Sequence, residues 1–267
     1  MPVLVHYRRF LFFLLIVFTW AACHTPEVDD PDIIVTFPPE FTVDLFEQRD
    51  ANTGAAVFGL WVESMAVFDC SNYRIETATT VSADAIDIQL LEVSKPDTCL
   101  GLPGRAHAFL PLGRPANGVY RFTFTLGSAI INEGVLTVLD GHYDLSLPNA
   151  QGIDFQNRVL ESIPEHYVWG YAFALAESDM PVADQFIAGL KSLTVEPVLT
   201  PGYYGYFTVG GSGQYYFHKS IKPEIQNRPF LRRLNGGPDA VRSLLQSYRD
   251  DAIQPLELRC FSTFGEL

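Results

Sequence analysis

Two short stretches carry the side chains that could do chemistry at close range. Asp140-Gly141-His142-Tyr143-Asp144 puts two carboxylates and an imidazole within one pentapeptide, the residue types of a metal site or an acid–base pair. The same residues build a tight turn between strands, and Asp-Gly reads first as that turn. Gly211-Ser212-Gly213 has the small-Ser-small pattern of a nucleophile elbow. An elbow joins a strand to a helix, whereas Tyr203–Val209 and Gln214–His218 on either side both read as strands, so a hairpin turn is expected. His107, His166 and His218 lie in unrelated segments, and no metal-ligand spacing recurs. Cys260 with His166 or His218 would make a nucleophile–base pair. Its apolar strand context points instead to a buried thiol. No His-Glu-x-x-His, phosphate loop, dinucleotide fingerprint or Ser-x-x-Lys pair occurs. The residues predict no catalytic set, no metal and no cofactor.

Two sets suit recognition better than catalysis. Tyr167, Trp169, Tyr171, Tyr204, Tyr206 and Tyr216, with Tyr203 and Tyr215 beside them, fall on expected strands of one sheet. An exposed row of such side chains would stack on sugars or meet a partner protein, since each joins a large apolar body to a polar tip. The alternative is that one row packs under helices and the other against a neighbouring domain. Lys219, Lys222, Arg228, Arg232 and Arg233 form a basic segment that could hold anionic glycans or lipid phosphates. Pairing with the chain's own carboxylates is the competing expectation, because 18 Lys and Arg face 31 Asp and Glu for a formal net charge of −13. That balance repels nucleic acid, which is excluded as a partner.

The elements that must position these groups fall into two regions. Over 33–145, Ile33–Phe37, Phe41–Phe46, Val57–Val62, Arg74–Thr79, Ala85–Leu90, Val119–Leu126 and Val135–Leu139 read as short strands with turn residues between them. This is an antiparallel β-sandwich pattern. Leu112, then Asn117-Gly118, then Tyr120 opening a strand resembles the tyrosine corner of immunoglobulin-like domains, which implies an Ig-like sandwich. Residues 146–164 read as a linker. Over 165–267 the periodicity changes: strand Tyr167–Leu175, helix Val182–Leu193, strands Tyr203–Val209 and Gln214–His218, helix Pro238–Arg249 and strand Leu256–Phe261. Strand-helix-strand-strand-helix-strand is the ferredoxin-like order, with helices on one sheet face and the other face open. The fold class expected is thus mainly β plus α+β.

The start of the chain supplies an address. Arg8 and Arg9 precede an apolar run, Phe10–Trp20, which Ala21-Ala22-Cys23 closes. The layout is that of a secretory signal over residues 1–22 and is too short for a bilayer span, which takes ~20 apolar residues. The small-small-Cys ending resembles the lipobox of bacterial lipoproteins, which implies acylation of Cys23. Residues 23–32, with Glu27, Asp29, Asp30 and Asp32, read as an acidic tether and resemble the surface-export signal of Bacteroidetes lipoproteins. If Cys23 carries lipid, an oxidising compartment leaves one disulfide among three cysteines, and Cys70 with Cys99 in one β-rich region is the pair expected. Without lipid, two disulfides become possible. The sequence thus predicts a non-enzymatic, lipid-anchored outer-membrane or cell-surface protein that binds an envelope protein or glycan. A lipid-anchored hydrolase with a dispersed site is the alternative.

Overall fold

The computed structural model describes residues 36–50, 53–174, 176–218, 227–249 and 256–267. Cys23, the signal, the tether, most of the expected strand Ile33–Phe37, Lys219 and Lys222 lie outside them. Residues 37–267 cluster as one compact unit.

Alternating sequence builds the first layers. In chain order the strands are β1 (Phe41–Arg49), β2 (Ala56–Phe68), β3 (Arg74–Val81), β4 (Ala85–Ser94), β5 (Gly104–Gly113), β6 (Gly118–Leu126), β7 (Ile130–Leu139), β8 (His142–Ser146), β9 (Ile153–Phe155) and β10 (Val159–Glu161). One sheet has the order β5-β2-β1-β9 and the other β10-β8-β7-β6-β4-β3. The period of two sends Ile86, Ile88, Leu90, Phe122, Phe124 and Leu126 into the space between them, where Leu45, Leu60 and Val62 meet them from the facing sheet. Phe122 and Phe124 are wholly buried, and each such side chain contributes roughly 1.5–3 kcal/mol. Residues 146–164, expected as a linker, instead supply β9 and β10, which pair with β1 and β8. Strands three residues long carry too little alternation to stand out in sequence.

The second part begins with β11 (Tyr167–Ala174), followed by α1 (Met180–Leu193), β12 (Thr194–Val195), β13 (Gly202–Tyr203), β14 (Phe207–Val209) and β15 (Tyr215–Phe217). The chain ends in β16 (Asn227–Leu234), α2 (Asp239–Arg249), β17 (Leu256–Ser262) and β18 (Gly265–Glu266). Pro181 opens α1, whose buried Ala183, Phe186 and Leu190 share one face. Val241 and Leu245 do the same for α2. Both helices lie on a sheet of order β12-β16-β11-β17-β18, closing a core with Val168, Ala172, Phe230 and Cys260.

Here the expected strand assignment changes. Tyr203–Val209 and Gln214–His218 do not enter this sheet; they form a separate one, β13-β14-β15. Their places are taken by β12 and by β16, whose sequence Asn-Arg-Pro-Phe-Leu-Arg-Arg-Leu falls in the basic segment. Pro229 is tolerated because β12 pairs only with Arg233 and Leu234, leaving the outer edge at Pro229 without a strand among the described residues. Gly170 in β11 is required: a Cβ there would stand 1.9 Å from the Arg259 carbonyl oxygen.

Candidate functional site

The expected open aromatic face is covered. Tyr167, Trp169, Tyr171 and Tyr204 are buried, Tyr206 is half-buried, and Tyr216 alone of the six is exposed. The small sheet β13-β14-β15 lies over the face of β11 that the helices leave, so Trp169 packs on Tyr206 at 5.2 Å and on Phe207 at 6.4 Å. Two of the hydroxyls are spent internally. Tyr167 Oη donates to the Val198 carbonyl at 3.0 Å, and Tyr204 Oη donates to the Thr200 carbonyl at 2.9 Å. The row is therefore a second core.

The basic segment disperses as well. Arg228 Nε donates to Asp184 Oδ1 at 2.6 Å, and buried Arg232 bonds Thr194 Oγ1 at 3.0 Å and pairs with Glu196. Arg233, one residue on, points to the opposite side of the strand and is exposed. Arg228 and Arg232 thus serve the chain's own acids. Asp140 and Gly141 both have positive φ and join β7 to β8 as a two-residue turn, while His142 Nδ1 lies 2.7 Å from Glu161 Oε1. Ser212 sits in the β14–β15 hairpin turn, and Cys260 is buried in the helix-covered core. Cys70 and Cys99 stand at disulfide distance, Cα atoms 5.5 Å apart.

Two clefts remain. One, about 510 Å³, is lined by Arg49, Arg114, Asp140, Tyr143, Ser162 and Glu165. Behind it Glu47 is buried, accepts from Ser162 Oγ and lies 2.7 Å from Arg49 Nη2. A hydroxyl on a carboxylate is the contact a nucleophile and base would share. Here, however, Glu47 is also fixed by the guanidinium, and Arg49 Nη2 donates onward to the Ile163 carbonyl. Burial, then the charge of Glu47, pushes the Tyr143 phenol above its ordinary range. These groups pin β1 to the chain after β10.

The other cleft, about 300 Å³, lies on the outer side of the four-stranded sheet. Register places Asp44, Trp61 and Phe109 in one row and Thr42, Glu63 and His107 in the next. Trp61 is half-buried and stacks on His107 at 5.2 Å and 19°. Around it stand Glu63, Arg105, Gln156 and Asn157. Asp44 accepts from Tyr203 Oη at 2.6 Å and from Asn157 Nδ2 at 3.0 Å, which ties the groove to the small sheet. Read by parity, Phe58, Leu60 and Val62 face inward, so Trp61 and Glu63 must face outward. The alternation of β2 held that signal, but an apolar run obscures it. No protein-family model, curated protein or solved structure matches the chain.

Proposed function

We propose that the protein is a lipid-anchored envelope binding protein of the outer membrane, displayed at the cell surface, and that its groove at Trp61 holds a glycan. The groove composition carries the reading. An indole face flanked by Glu63, Arg105, Gln156 and Asn157 offers a flat apolar platform beside planar donors and acceptors, the combination a pyranose ring and its hydroxyls require. The aromatic side chains expected to do this work, Tyr167 to Tyr216, leave the role to Trp61 and His107. An Ig-like sandwich and a ferredoxin-like second lobe underlie this reading. The first is supported by Tyr120 Oη, which donates to the Ala116 carbonyl at 2.9 Å as in a tyrosine corner. The second is supported by the antiparallel order β12-β16-β11-β17 with α1 and α2 as the crossovers.

Glycan-array binding of residues 23–267 tests the reading. Retention of a defined glycan, reduced at least tenfold by Trp61→Ala and by Gln156→Ala, is expected. An array without signal removes it. Release of new reducing ends from the retained glycan would transfer the assignment to the hydrolase alternative, with Asp44 and Glu63 as its carboxylates.

A further inference from the structure

The N-terminal end of the sandwich gathers apolar side chains that the rest of the molecule would bury. β1 starts there, and the Met65 amide donates to the Glu40 carbonyl at 2.8 Å. β5 starts there too, with Gly104 opposite Phe68, and so does β9, preceded by Gly152, whose amide donates to the Phe37 carbonyl. The β6–β7 turn lies at the same end, since Gly152 packs on Leu126 and Ile130. Phe37, Met65, Val67, Leu100, Leu102 and Ile131 are all exposed at this end, from 44% for Met65 to 80% for Leu102. Scattered exposed apolar residues are ordinary; several at one tip of a sandwich are a contact surface.

The tip is rigid. The Cys70–Cys99 bridge joins the loop after β4 to the turn after β2. Asn72 Nδ2 donates to the Thr98 carbonyl at 2.8 Å, and Asn72 Oδ1 accepts from the Leu100 amide at 2.9 Å. Ser71 Oγ donates to the Leu100 carbonyl at 3.1 Å. Leu100 and Leu102 are therefore held outward, at little further entropic cost on binding. Two cations near the tip are paired: Lys95 with Asp69 at 3.5 Å and Arg105 with Glu63 at 3.8 Å.

We infer that this tip docks on the lipid bilayer to which Cys23 is attached, with Leu100 and Leu102 entering the headgroup–acyl boundary. The inference rests on the anchor reading above. Residues 24–36 separate Cys23 from Phe37, a span of roughly 45 Å at full extension. The chain that follows Cys23 thus enters the folded unit at the N-terminal tip. β2 alone, 13 residues long, covers about 43 Å, so bringing the opposite end to the bilayer would consume the whole reach. The second lobe meets the outer side of the four-stranded sheet, where Tyr206 packs on Phe46 at 4.9 Å and Tyr203 bonds Asp44, and it leaves Leu100 and Leu102 uncovered.

The test separates docking from acylation. The chain from Cys23 onward, which contains the whole compact unit 37–267, is coupled through the Cys23 thiol to a maleimide headgroup. The vesicles are phosphatidylethanolamine and phosphatidylglycerol, and amide exchange is followed at 65–68 and 98–104. Slowing of about tenfold relative to the same chain capped with free maleimide is expected, with loss of the effect in Leu100→Ser/Leu102→Ser. Unchanged exchange on vesicles overturns the inference. Protection that appears only in native envelopes also overturns it and assigns the tip to a protein partner. Whether the cell acylates Cys23 is read independently, from the mass of the N-terminal peptide of the envelope protein, so loss of the anchor reading is recognised without the exchange data.

Discussion

At its N-terminal end the sandwich leaves Leu100, Leu102 and Val67 in solvent, held by a disulfide and a lattice of backbone bonds around Asn72. At its far end it buries Glu47 and most of Arg49, and closes over them with Ser162, Tyr143 and Tyr206. Gly54, in the turn that follows β1, has φ +68° and lies so close to Thr263 that a Cβ would stand 2.4 Å from its carbonyl oxygen. One sheet thus ends in apolar groups without a protein cover and begins its other junction with charges taken out of water. The first arrangement costs little in the folded state and gains when an apolar surface arrives. The second depends on every partner being present, because a buried ion left alone loses its hydration without compensation. Stability should therefore be concentrated at the far end and function-specific surface at the near one.

The largest effect should come from breaking the far-end pair. Arg49→Met leaves Glu47 buried beside Ser162 alone and is expected to cost about 3–5 kcal/mol in urea unfolding. Glu47→Leu/Arg49→Met, which removes both charges, should recover most of that loss. A single substitution costing under about 1 kcal/mol would show that the two ends do not differ as described. The near end has one comparably strong tie, the 29-residue loop closed by Cys70 and Cys99. Cys70→Ser/Cys99→Ser is expected to cost roughly 3–4 kcal/mol by loop entropy and to speed amide exchange at 98–104. The contrast is then between a covalent restraint and an electrostatic one, and only the latter should respond to pH.

Alkaline titration sharpens that point. Burial first, with the charge of Glu47, pushes the Tyr206 phenol up to about 12 against an opposing bond from the Arg49 backbone. Burial, the charge of Asp44 and its hydrogen bond raise Tyr203 further. The unfolded chain releases these protons near pH 10 while the folded chain retains them. The contribution is therefore complete below pH 10 and is lost as pH rises above it, the share of Tyr206 between about pH 10 and 12. Tyr206 accounts for about 2–3 kcal/mol of that loss. Unfolding free energies measured across that window should fall steeply, and Tyr206→Phe should flatten the slope.

How much of this could be read in the chain depends on the range of the interactions. β4 and β6 were legible because Ile86, Ile88, Leu90 and Tyr120, Phe122, Phe124, Leu126 alternate with polar neighbours. α1 and α2 were legible from helical spacing. β11 is buried on both faces, so its two rows show no polar side and the open face could not be told from a covered one. β16 was hidden by Pro229 and its arginines, of which Arg228 and Arg232 find their partners on α1 and just after it, at Asp184, Thr194 and Glu196. The long-range ties of β1 have no local signature at all: in the groove Tyr203 and Asp44 lie 159 residues apart, and at the far end Ser162 and Glu47 lie 115 apart. Trp61 was present in the pattern of β2, but its outward direction emerges only when Phe58 and Leu60 are assigned to the core.

The smallest effect tests the other side of the contrast. Leu100 and Leu102 are 59% and 80% exposed, and the hydrogen bonds of their loop use backbone atoms and Asn72, which Ser at either position leaves in place. Leu100→Ser/Leu102→Ser should therefore change unfolding free energy by less than about 0.5 kcal/mol, the range of surface substitutions away from caps, strain or buried networks. Solubility should rise, because the exposed apolar area at the tip shrinks. A loss of 2 kcal/mol or more would mean that these leucines already have a cover within the chain, and the N-terminal tip would then be a second buried junction like the far end. An unchanged stability together with weakened attachment to vesicles would separate what holds the sandwich together from what it presents.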